Sequence, residues 1–250
     1  MAEFDTIRPA SGRTAAGARA AQIDEGLRTH MNKVYGTMSV GMLMTFAVAW
    51  AVGTSPALLG IFRDPLTLQP NILGWIVMFA PLGMVFAFSA AINRLSAAGA
   101  QLFFYAFAAV MGLSIAWIFQ AFTGMSIAQI FLITSIAFAG LSLWGYTTKK
   151  DISGWGSFLI MGVIGLVAAS IVNIFLGSPA IMFAVSAIGV LIFAGLTAYD
   201  TQNIKNTYLA HAHHGDSEWL AKAGIMGALG LYLNFINMFM MLLTLFGNRE

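Results

Sequence analysis

The sequence contains no cysteine, so disulfides, thiolate nucleophiles and cysteine-ligated metals are excluded. Charge is nearly as scarce. Only 9% of the 250 residues are Asp, Glu, Lys or Arg, against about 25% in a soluble domain. Hydrophobic residues make up 59%, and the mean hydropathy is +0.81. Such a chain needs lipid rather than water as its main solvent. The first thirty residues lack the apolar core of a secretory signal, and Glu3, Asp5, Asp24 and Glu25 make them too acidic for a transit peptide. They read as a flexible cytoplasmic tail, residues 1–30, ahead of a membrane domain over 31–250.

What the chain does have is long apolar runs. Crossing about 30 Å of hydrocarbon takes about 20 apolar residues in a helix. Seven runs qualify: residues 34–53, 71–92, 101–120, 126–146, 154–175, 179–200 and 223–246. The expectation is an all-α membrane protein of seven transmembrane helices. With the N-terminus inside, Arg8, Arg13, Arg19, Arg28, Lys33, Arg94, Lys149, Lys150, Lys205 and Lys222 fall on the inner side, leaving Arg63 and Arg249 outside. That asymmetry sets a cytoplasmic N-terminus. It also accounts for the net charge of +2 without nucleic acid as a partner; the lipid bilayer is the partner this composition implies.

Asp200 is the one acid within the apolar runs, at the cytoplasmic end of the sixth. One reading makes it a residue at the water boundary; the other makes it functional, as ionisable groups in spans commonly are. Ser186, Gly189, Phe193, Thr197 and Asp200 fall on one face of the sixth helix. Gly227, Gly230, Asn234, Asn237, Met241 and Thr244 form a similar stripe on the seventh. Amides against lipid would be stranded, so the two stripes are expected to face each other. Counter-charges for Asp200 are sought in the inner loops, at Lys149, Lys150 or Arg94. Asn237 reads as a packing residue, Ser170 and Asn173 as packing residues or water contacts, and Trp117 as a mid-span packing aromatic. His211, His213 and His214 invite a metal reading, but a solvated polar loop beside Asp216 and Glu218 is the favoured reading.

Enzyme chemistries fail on missing parts. All four histidines lie outside the runs, which excludes a histidine beside an intramembrane serine nucleophile. One carboxylate cannot make an aspartyl dyad. No phosphate-binding glycine loop is present. No catalytic residue and no cofactor are expected.

Three segments carry a family resemblance: TTKKDISGWGSFL at 147–159, AYDTQNIK at 198–205 and LYLNFINMF at 231–239. Together, on spans four to seven, they resemble the Bax inhibitor family of membrane proteins in its bacterial form. The resemblance implies a seven-helix bundle with the last helix central. It implies a pH-sensitive calcium leak channel of the bacterial inner membrane, with calcium as the transported ion, or alternatively a non-conducting regulator that binds an integral membrane protease. In the family an aspartate of YDxxxIK shares a proton with one of LYLDFIN. Asp200 matches the first, whereas Asn234 stands at the second. Two close carboxylates titrate as a unit; an amide cannot repel Asp200, but it can donate hydrogen bonds to its charged form. The resemblance thus assigns the ion pathway and its latch to Asp200, Asn234, Asn237 and Thr197.

Overall fold

The computed structural model describes residues 11–64, 67, 69–212 and 216–249. Among them lie nine helices and no strands: α1 (Ser11–Gly53), α2 (Pro56–Leu59), α3 (Ile72–Ala91), α4 (Ala97–Ile115), α5 (Ile118–Ala121), α6 (Gly124–Thr147), α7 (Trp155–Leu176), α8 (Pro179–His211) and α9 (Ser217–Phe246). Seven spans are long and apolar enough to cross a membrane, α4 and α5 counting together as one.

The helix starts follow local chemistry. Asn71, Ser96, Thr123, Ser178 and Asp216 each accept a hydrogen bond from a backbone N–H in the first turn of the helix they precede, which is the N-cap role suited to short polar side chains. Between α7 and α8 the chain reverses tightly. Gly177 takes φ 60° there, a left-handed conformation that costs glycine no side-chain clash. The Asn173 side chain accepts from the N–H of Ser178 at 2.9 Å. Asn173, expected as a packing residue or water contact, therefore shapes the turn.

Three boundaries differ from the apolar runs. The tail expected to end at residue 30 is helical from Ser11 onward, and Leu27, Met31, Val34 and Met38 are buried along one side of α1. An Ala- and Arg-rich segment has high helix propensity, and its apolar stripe continues into the bundle; residues 1–10 lie outside the described residues. Helix α8 continues eleven residues past Asp200, so the polar segment after the sixth run is largely helix rather than loop. Trp117 sits not in mid-span but at the break between α4 and α5, beneath the Arg63 guanidinium at 5.9 Å from its ring centre. That cation-π contact explains a tryptophan at the helix end. Burial also pushes the Arg63 guanidinium below its ordinary value.

Helix α9 packs against α1, α4, α6 and α8, whereas α3 leans mainly on α4 and α7 on α8. Its most apolar window is 56% buried, against 11% for α7. Lipid tails supply little hydrophobic drive between helices, so close packing at small residues matters more. Gly145 of α6 lies directly on the backbone carbonyl of Ala198 in α8; a methyl group there has no room.

Candidate functional site between the last two spans

The two small and polar stripes do meet. Gly189 faces Met241, Asp200 faces Gly230, and Ile204 faces Gly227, as antiparallel neighbours require. At this seam the Asn234 side-chain nitrogen donates to the Asp200 carboxylate at 2.6 Å. Asn234 is only 5% exposed and Asp200 is half-buried. A short bond from amide to carboxylate is charge-assisted and stronger than a neutral one. The expected pairing of Asp200 with Asn234 is thus present in the geometry.

The other expected members are placed differently. Thr197 is fully buried, but its hydroxyl donates to the Phe193 carbonyl one turn back at 2.8 Å. The Asn237 amide likewise donates to Leu233 at 2.8 Å. Both satisfy their own helix. Among the described residues Asp200 forms no ion pair with Lys149, Lys150 or Arg94. The Lys150 carbonyl accepts instead from Gln202 at 2.8 Å. The amide of Asn234 takes the place expected for a base, because the helix faces bring it into contact while the lysines stay in the loop. His211 stacks on Trp219 at 4.1 Å between ring centres; His213 and His214 lie outside the described residues. No group of three metal-ligating side chains occurs among the described residues.

Below Asp200 a cleft of about 280 Å³ opens between α1, α8 and α9, lined by His30, Asn203, Thr207, Trp219 and Gly227 among others. His30 is a titratable neighbour that sequence spacing alone does not reveal, since it comes from the first helix. Gln202 was also hidden. Its carbonyl oxygen accepts from the Ile152 N–H at 2.9 Å while its amide reaches Lys150, so one side chain clasps the α6–α7 loop. Lys205 reinforces that clasp by donating to the Tyr146 carbonyl at 2.8 Å. Deeper in the bundle, the Tyr232 hydroxyl lies 2.6 Å from that of Thr45. Thr45 in turn reaches the Ala108 carbonyl at 2.8 Å, so α9, α1 and α4 share one buried polar contact. The only signal for Gln202 and Tyr232 was their place inside the AYDTQNIK and LYLNFINMF segments.

Seven apolar spans, with Asp200 clasped by an amide between the last two, define an integral membrane protein of the all-helical, seven-span class. The family described as inhibitor of apoptosis-promoting Bax1 matches residues 27–250. The chain belongs to that Bax inhibitor family. It is 46% identical to the inner membrane protein YbhL of Escherichia coli K12 over 90% of this chain and 94% of that protein. An uncharacterised protein of Caulobacter vibrioides is 44% identical, with 91% and 92% covered, and one of Rickettsia prowazekii is 41% identical at the same coverages.

Proposed function

We propose that this chain is a passive cation leak of a bacterial inner membrane, with its N-terminus in the cytoplasm. Calcium is the permeant ion, and Asp200 with Asn234 forms the latch at the cytoplasmic mouth. The observation that carries this reading is the contact of 2.6 Å between Asn234 and Asp200 within the spans, where an ionisable group is costly unless it serves a function. The cleft below Asp200 gives a cation a route to the carboxylate. The excess of basic residues in the inner segments supports the orientation, and relatives named as inner membrane proteins support the location. A leak of this kind needs no ATP, cofactor or catalytic residue.

The test is calcium entry into liposomes containing the purified protein, over roughly pH 5 to 8. Wild type conducts above empty vesicles, and Asp200→Asn alters that flux. Asn234→Asp restores a carboxylate pair and makes the flux steeply pH-dependent. No flux in either the wild type or Asn234→Asp rejects the reading.

A second reading is favoured by the packing beyond the latch. Met238 and Leu243 are essentially inaccessible and Phe239 is 4% exposed, so the interior past Asn234 is filled. On this reading the chain is a non-conducting regulator that contacts an integral membrane protease. Co-purification of such a protease, with no flux from either variant, distinguishes the two.

A further inference from the structure

The bundle leaves one large opening that the latch does not use. Helices α1 and α6 share no packed seam. Between them runs a groove of about 1420 Å³, lined on α1 from Arg28 to Trp50. At 1.5 Å per residue that is about 33 Å of helix, enough to run the full hydrocarbon thickness of about 30 Å. The floor of the groove is aromatic. Phe131 meets Phe235 and Phe239 edge to face, with ring centres 5.4 and 6.1 Å apart, and this surface offers hydrogen bonds to nothing.

At one end, Arg28 and Asn32 of α1 and Tyr146 of α6 line the mouth. Arg28 is exposed and forms no ion pair among the described residues. Lys149 follows three residues after Tyr146 and is also exposed. The groove therefore has a positive head and a long apolar body, with both parts facing the bilayer. That charge pattern complements a lipid bearing a phosphate at the membrane surface and a chain within it.

We propose that the α1–α6 groove holds one anionic phospholipid, its phosphate on Arg28 and an acyl chain against Phe235 and Phe239. The neighbouring residues of α9 include Asn234, so the lipid braces the same helix that carries the latch amide. An ordinary boundary lipid has no single position; this one is fixed by a guanidinium at one end and an aromatic floor along its length.

The experiment is native mass spectrometry of the full chain, reconstituted with equal phosphatidylglycerol and phosphatidylethanolamine and then extracted in mild detergent. Wild type retains phosphatidylglycerol in stoichiometric amount. Ala139→Trp fills the groove from its α6 wall and abolishes the retention, whereas Ile164→Trp, on the exposed surface of α7, keeps it. Arg28→Gln removes the preference for phosphatidylglycerol, and it tests the headgroup contact even if the bulky variant fails to fold. Retention by Ala139→Trp equal to wild type overturns the proposal, as does an unchanged lipid preference in Arg28→Gln. A dimer closed across the groove, seen in place of bound lipid, also overturns it.

Discussion

At the scale of single residues, the Asp200 carboxylate depends on one short hydrogen bond. Replacing Asn234 with Leu removes the donor and leaves a half-buried anion without its amide. Hydrogen bonds to charged groups are worth about 1.5 to 3 kcal/mol. The Asn234→Leu variant should therefore lose stability by about 1.5 to 3 kcal/mol, read as a lower melting temperature in detergent. Asp151 offers an opposite and milder case outside the spans. The backbone N–H of Ser153 donates to it at 2.9 Å; that bond, with a further one from the Ser153 side chain, holds its carboxyl below the ordinary carboxylate range. The sign follows directly: the anion's help to the loop is complete above the ordinary value and is lost as pH falls through the lowered one. A carbon-detected NMR titration should place the Asp151 carboxyl below the ordinary aspartate value.

At the scale of elements, Gly145 of α6 seats directly on the backbone carbonyl of Ala198 in α8. A carbonyl in a paired helix cannot swing aside as a side-chain tip can. Gly145→Ala should destabilise the bundle by about 1 to 3 kcal/mol, in the range of overpacked cores, and thermal unfolding in detergent would read it. The existence and order of the spans were legible in the sequence because membrane thickness dictates run length. Their polar ends were not. Lys205, Thr207 and His211 read as loop by composition, yet α8 carries them onward because no glycine or proline interrupts that stretch. The Asp200–Asn234 pair was half legible for a related reason: helical periodicity aligned Asp200 with one stripe and Asn234 with another. Gln202 on Lys150 and Tyr35 on Thr201 join residues 52 and 166 positions apart, and no local periodicity encodes such partners.

At the scale of the whole molecule, the missing cysteines become useful. A single cysteine introduced anywhere reports alone, with no background thiol to remove. Thr148, at the end of α6, and Ser178, at the start of α8, lie at opposite ends of the bundle. In intact cells an impermeant thiol reagent should label Thr148→Cys only after the inner membrane is opened. Ser178→Cys should react without that step. Reversed labelling would place the N-terminus outside and move Asp200 to the other mouth.

The Gln202 clasp constrains how such a bundle can open. One side chain fastens the α6–α7 loop to α8, Lys205 fastens the last turn of α6 to the same helix, and Gly145 seats α6 against α8. These contacts tie α6, the α6–α7 loop and α8 into one packed unit. Under the proposed function, parting Asp200 from Asn234 would move that unit relative to α9, with the slip plane along the α8–α9 seam rather than between α6 and α8.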